Sequence, residues 1–425
     1  MSWQSVGITG GRVIDPANGL DALVSVWIAD GKIAAIGDPP DGFVADQSID
    51  ANGQIVCPGF VDLCVRLREP GQEFKATIAS ETAAAAAGVT TLCCPPDTRR
   101  VIDTPAVVSL LRERAEAVGK ARVIPIGALT RGLLGKELSS MMALKAAGCL
   151  AVSNAYAPVE NLLVLRRAME YAANCGLLVI VRPEEPSLRN CGCVHDGMIG
   201  SRLGLPVIPA SAETAAVAQT LVLAEQTGAR VHFGQLSSAR AVAMIAEAQG
   251  RGVAVSADVA IHQLHLTEAA VDGFDANAHV NPPFRSVADQ EGLRQGLASG
   301  ILAAICSDHQ PHDPNAKLDA FPATEPGISA LETLLPLTLE LVEAGLLDWP
   351  SAIARLTQGP TAIISLNAGT LSVGALADVC VFDPKLEWVA SGSNWLSRGV
   401  NTPYYGSQFK GQVTKTLVSG QIVHG

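Results

Sequence analysis

The spacing of apolar positions changes twice along the chain. Residues 1–55 carry short alternating runs, VGITGGRVID and ALVSVWIADGKIAAIG, broken by glycines and by Asp30-Gly31. Period-two alternation around such breaks predicts strand, tight turn, strand. The C-terminal stretch returns to this style in GTLSVGALADVCVFDP and VTKTLVSGQIVHG. Between them lie eight near-continuous apolar runs, at residues 55–65, 88–94, 122–128, 148–153, 176–182, 229–235, 252–258 and 301–307. Ala/Leu/Glu-rich stretches of helical spacing separate them, among them 74–87, 105–118, 159–175, 211–226 and 238–249. Gly88, Gly148, Gly176 and Gly252 stand where a helix should end and a strand begin. Strands that are apolar on both faces and separated by helices belong to a parallel sheet covered on both sides. Eight such units predict an α/β protein. Its main body is a (β/α)8 TIM-type barrel over residues 56–366, and a small discontinuous β-sandwich is formed by residues 1–55 and 367–425.

Composition narrows the classes. The 425 residues hold 30 Lys+Arg and 41 Asp+Glu, a net charge of −11, with 48% hydrophobic and 17% charged residues. That much apolar surface excludes a disordered chain. The acidic balance and an aromatic content of 4% argue against a nucleic-acid or anionic-membrane partner, both of which need a basic face. No apolar run reaches the length of a membrane span, and MSWQSVGITGGRVIDP lacks the basic and apolar regions of a secretory signal, so a cytoplasmic protein is expected. The ten cysteines sit mostly in apolar runs and read as reduced and buried. Cys191-Gly-Cys193 reads as a pair of loop thiols rather than a metal pair.

In such a barrel the chemistry lies where the strands end. Those ends carry PGFVDLCVRLREPG, GVTT before Pro-Asp-Thr, VNPPFR, SDHQPH, ADVCVFDP and GVNTPYYG. Together and in this order they resemble dihydroorotase, in the amidohydrolase superfamily. The resemblance implies the same fold and the reversible, zinc-dependent cyclisation of carbamoyl aspartate to dihydroorotate. It also implies metal ligands at an H-x-H on strand one, an acidic residue or carboxylated lysine on strand four, histidines on strands five and six, and an aspartate on strand eight.

Almost every ligand position departs from that pattern. Cys64 and Arg66 hold the H-x-H positions, Asn154 and Ala155 the acidic pair, Arg182 the strand-five histidine, and Gln235 the strand-six ligand beside a retained His232; only Asp308 is kept. Zinc needs three or four imidazole, thiolate or carboxylate ligands. Arginine has no lone pair to give, so the family's zinc is expected to be lost and no metal is expected here. A substrate-binding remnant persists at Arg68, Asn281 and His312, while Asp97 replaces a family asparagine and sets a like charge near an anionic substrate.

Asp308 is expected to pair with Arg66 or Arg182, because a lone buried carboxylate is costly. His232, His262, His265, His279 and His309 are expected to be packed or hydrogen-bonded, Glu184 and Glu185 exposed, and Trp388, Val389, Trp395 and Leu396 part of the core. The resemblance extends to inactive dihydroorotase-like chains that assemble with the aspartate transcarbamoylase catalytic chain. It implies a non-catalytic structural subunit of a hetero-oligomer, expected to be a hetero-dodecamer, in pyrimidine biosynthesis. Two rivals are an active cyclic amidohydrolase with an altered metal site on Cys64, Asp308 and His309 or His312, and an anion-binding regulatory barrel using Arg66, Arg68 and Arg182.

Overall fold

The computed structural model describes residues 5–425; the first four residues of the expected sandwich segment lie outside them. Phe60–Asp62, Val89–Cys94 and Arg122–Pro125 form one parallel sheet. Gly127–Ala128, Ala151–Ser153, Leu178–Val181, Val231–Phe233, Val255–Ala260 and Leu302–Cys306 form a second, again in chain order. Only Ile126 separates the two sheets along the chain, and its amide donates to Cys94 O at 2.9 Å. At the other edge Val65 pairs with His309 in a parallel bridge. The first and last strands therefore meet, which is the connectivity a closed barrel requires. Val89–Cys94 is buried at all six positions, as the unbroken apolar run predicts for a sheet covered on both faces. Among the described residues no helix is long and apolar enough to cross a membrane.

Local capping chemistry sets the helix boundaries. Pro105–Val118 matches its expected span. The expected helix from 74 begins instead at Ile78, because the Thr77 side chain accepts from Ser80 N in a capping box. The next begins at Leu162 rather than 159, because Asn161 caps the amides of Leu163 and Val164; it ends at Gly176, whose φ of 65° suits glycine.

The terminal segments form two further sheets. Lys32–Ile36, Val26–Ala29, Val6–Thr9 and Gln47–Asp50 make one, and Gln421–His424, Gln408–Val418, Val379–Val389, Ile55–Pro58, Arg12–Asp15 and Leu20–Leu23 make the other. Val6, Ile8, Val26 and Ile28 share one buried cluster with Val13, Val56, Val379 and Leu417. The sheets therefore pack through the alternate positions that the sequence marks as apolar. Two local readings need correction. VGITGGRVID is not a hairpin, because its two strands lie in different sheets. Gly10 and Gly11 carry the chain across, where a Cβ on Gly11 would stand 2.7 Å from Val56 Cγ2. The hairpin of this region joins Val26–Ala29 to Lys32–Ile36 through Asp30 and Gly31, both at positive φ. In the C-terminal strip Trp395 is buried and Trp388 packs on the core, but Val389 and Leu396 are 49% and 44% exposed.

The run expected as one strand over 55–65 is two. Ile55–Pro58 belongs to the terminal sheet, Phe60–Asp62 to the parallel one, and Gly59 divides them. A Cβ on Gly59 would stand 2.2 Å from Thr90 Cγ2, so the two sheets approach at a point where no side chain fits. Gly59→Ala is expected to cost about 1–3 kcal/mol by overpacking, read by urea unfolding, and Gly59→Ala with Thr90→Ala to recover part of it. A Gly59→Ala variant of unchanged stability would contradict the close approach.

Candidate functional site

Cys64 and Arg66 follow Phe60–Asp62 two residues apart and face the same way; Asp308 follows Leu302–Cys306. Cys64 Sγ donates to Asp308 Oδ1 at 3.3 Å, and Arg66 Nη1 reaches the same oxygen at 3.3 Å. Arg66 Nη1 also lies 3.6 Å from Cys64 Sγ, and its Nε donates to Asp97 Oδ2 at 2.9 Å. Asp308, Cys64 and Arg66 are 2%, 4% and 5% exposed. Burial raises the Asp308 carboxyl above the usual carboxylate range, and the charges of Arg66 and Arg182 pull against that. Burial also pushes the Cys64 thiol well above its ordinary value. The thiol therefore donates as S–H and is not poised as a thiolate.

This donor set does not fit zinc. A guanidinium sits against both the thiol and the carboxylate, supplies no lone pair and repels a dication. Among the described residues no group of three or more His, Cys, Asp or Glu is placed to share a metal ion.

The remaining ligand positions have other occupations. Asn154 fastens a loop: its Oδ1 accepts from Thr130 N and Oγ1 at 3.2 and 2.7 Å, and its Nδ2 donates to Leu133 O and Ala157 O. Gln235 donates its backbone amide to Asp258 Oδ1 at 2.6 Å, and His232 Nε2 lies 3.1 Å from Asp258 Oδ2. Arg182 does not reach Asp308 by hydrogen bond; Glu184 Oε2 stands 3.5 Å from its Nη1. Glu184 is correspondingly 13% exposed at its side chain, against the expectation of a solvated carboxylate. Sequence reasoning gave no role to Tyr156, which closes the centre. Arg66 and Arg182 lie 4.3 and 4.1 Å from its ring centroid. Its hydroxyl accepts from Gln310 Nε2 at 2.6 Å and donates to Asn281 O at 3.1 Å. The only sequence signal was its place two residues after Asn154.

The positions expected to form a substrate-binding remnant make contacts within the protein. Arg68 Nε donates to Pro311 O at 2.9 Å, and its Nη2 lies 3.0 Å from His312 Nε2. Buried Lys75 stands 3.1 Å from His312 Nδ1, so cations face both ring nitrogens. Asn281 Oδ1 is buried without a partner. His309 is structural: it accepts from Ala330 N at Nδ1, and its Nε2 lies 2.7 Å from Glu81 Oε2. Burial opposes the Glu81 charge, yet hydrogen bonds from His309, Ser397 and Ser80 hold its carboxyl below the ordinary range.

Arg68, Ala155, Gln235 and Asp308 each have positive φ and each follows a parallel strand. Such conformations cost about 1–3 kcal/mol apiece and gather at functional sites.

Burial lowers five histidines, His195 and His424 among them, and takes His262 to about 3, His279 to about 4 and His312 to about 2. For His279 the charge of Lys317 adds to burial, and for His312 those of Arg68 and Lys75 do. The unfolded chain takes up these protons below about pH 6.5 and the folded chain does not, so stability falls as pH drops through that value. Burial raises Asp62 to about 6 and also raises Asp308 and Glu332; these act in the opposite direction but are fewer than the histidines. The expected result is a net loss of roughly 1 kcal/mol or more between about pH 7 and 5.5, measured by urea unfolding. Flat or rising stability over that window would contradict neutral buried imidazoles.

Residues 53–241 match the family described as dihydro-orotase-like. A dihydroorotase-like protein of Pseudomonas putida is 49% identical over 423 residues, covering 99% of this chain and 100% of that one. A protein named dihydroorotase from Syntrophotalea carbinolica is 44% identical over 419 residues, 98% of each. The L-hydantoinase of Arthrobacter aurescens superposes with a TM-score of 0.86 over 99% of this chain and 96% of its own at 23% identity, a likeness of fold. The motifs at the strand ends and the full-length relatives together place the chain in the dihydroorotase-like family of the amidohydrolase superfamily.

Proposed function

We propose that this chain is a catalytically inactive dihydroorotase homologue that works in the cytoplasm as a structural subunit of an aspartate transcarbamoylase complex. Its parallel sheets form a closed (β/α)8 barrel, its terminal sheets a discontinuous sandwich, and it carries no zinc. The observation that carries this reading is Arg66 Nη1 on Asp308 Oδ1 at 3.3 Å with Cys64 beside it. A guanidinium stands where the family's reaction needs a metal ion that can coordinate water and a carbonyl oxygen. Without a metal nothing lowers the pKa of water or polarises the ring carbonyl. The rest of the molecule supports an assembly role, because the parallel strands and the buried clusters around them are intact. The scaffold has been kept while the chemistry is gone.

Two measurements test the reading. Purified chain is expected to contain no stoichiometric zinc and to show no hydrolysis of dihydroorotate. Co-expressed with the transcarbamoylase catalytic chain of the same organism, it is expected to elute with it as one large species. Stoichiometric zinc with turnover, or separate elution, would overturn the proposal.

The charge replacement has its own test. Removing one partner of a buried pair costs about 3–5 kcal/mol, so Arg66→Ala is expected to lose stability on that order. In a double-mutant cycle, Arg66→Ala with Asp308→Asn is expected to be less destabilised than the sum of the two single changes. Simple additivity would remove the argument that Arg66 serves Asp308.

A further inference from the structure

A groove of ≈ 460 Å³ lies at the opposite end of the parallel sheet from the Arg66–Asp308 centre. Leu178, Val231 and Val255 line it, and each is the first residue of its strand, whereas Arg182, Gln235 and Asp308 follow the last residues of theirs. Its two cations are Arg230, just before Val231, and Arg355, on the helix Trp349–Leu356. Among the described residues no acidic side chain lines it. Arg230 Nη2 donates to Ile363 O at 2.9 Å, and Arg355 Nη2 to Leu297 O at 3.0 Å. These carbonyls fix the two side chains without neutralising them. Among the described residues neither guanidinium meets a carboxylate, and burial lowers Arg355 from its ordinary value with no acid opposing it. Arg355 Nε is enclosed. The N–H groups left for a ligand are those of Arg355 Nη1, which is not enclosed and has no acceptor in the protein, and those of Arg230, an exposed side chain.

Charge and shape select the ligand. The lining carries two positive charges and no negative one, on a chain whose net charge is −11. The field of the whole chain repels anions, so an acid-free pair of arginines is a local exception to it. Guanidinium groups match the oxygens of phosphate and carboxylate. Leu178, Val253 and Ile363 form an apolar wall beside the arginines, and the volume is in the range of sites for organic ligands rather than bare ions. A dicarboxylate would lay its second charge on that wall, whereas a phosphomonoester keeps both charges at one end. We propose that this groove is a binding site for a small phosphomonoester with an apolar body. Its phosphate meets Arg230 and Arg355, and its body lies on Leu178, Val253 and Ile363. The site is separate from the Arg66–Asp308 centre and independent of the assembly role.

Isothermal titration of the full chain at low salt tests this with three probes: phenyl phosphate, inorganic phosphate (the head without the body) and benzoate (the body with a single charge). Phenyl phosphate is expected to bind saturably at one site, roughly tenfold or more tighter than either of the others, because each lacks one of the two contacts. Its binding is expected to weaken below about pH 6, where the phosphate takes up its second proton, and benzoate binding is not. Arg230→Gln, at an exposed position, and Arg355→Gln are each expected to weaken phenyl phosphate roughly tenfold or more. Should Arg355→Gln fold poorly, Arg230→Gln alone decides. No saturable binding of phenyl phosphate, inorganic phosphate or benzoate binding as tightly, or undiminished binding by Arg230→Gln overturns the proposal.

Discussion

A carboxylate buried at the end of the last parallel strand cannot be left alone. Asp308 is 2% exposed, and moving an ion of that kind out of water costs several kcal/mol unless an opposite charge meets it. Either a bound metal or a side chain must supply that charge. Once Arg66 supplies it, the neighbours are constrained in turn. A guanidinium has five donors and one carboxylate oxygen does not satisfy them. Asp97 therefore takes the Nε and the Tyr156 ring covers the guanidinium face, while Gln310 bridges the second Asp308 oxygen to the Tyr156 hydroxyl. The centre is a closed polar network, each member of which is explained by the one before it.

The surrounding backbone keeps a shape that such a network does not by itself demand. Positive φ at Arg68, Ala155, Gln235 and Asp308 is tolerated only where the structure around it over-determines the conformation. Buried acids make that possible. Asp62 accepts from the amides of Cys64 and Ser307, Asp258 from Gln235, and Glu213 from Ser237 and Ser238. Each ties the end of one strand to its neighbour or to the helix behind. The backbone at the strand ends is thus fixed by acids that lie outside the Arg66–Asp308 pair.

Much of this was legible in the chain, and the parts that were not have a common physical cause. Unbroken apolar runs located the parallel strands because both their faces are buried, a condition local in sequence. The convergence of Cys64, Arg66 and Asp308 followed from their places at strand ends. Gly59 was illegible as a divider because only the distance to Thr90, 31 positions further on, shows why it must be glycine. Glu184 was misread as solvated because its partners, Arg182 and Arg189, converge on it only once the strand and the short helix after it are built. Tyr156 was invisible for the same reason: a cation over an aromatic face is a relation between three strand ends, and no window along the chain contains it.

The same constraint divides the interior into two halves. Around Asp308 every charged group has a partner, and that region is sealed. Around Arg182, two guanidinium N–H groups and, behind Tyr156, the Asn281 oxygen have none. Tyr156 stands at the boundary with an arginine against its ring on each side, Arg66 hydrogen-bonded to acids and Arg182 only ion-paired to Glu184 at 3.5 Å. A chain that had merely lost its metal would gain by replacing Arg182 with an apolar residue, since a buried charge without a hydrogen bond is costly to keep. What lowers that cost is the Tyr156 ring 4.1 Å from the guanidinium and the Glu184 carboxylate 3.5 Å from its Nη1, so Arg182 is held by a ring face and an ion pair where Arg66 is held by hydrogen bonds.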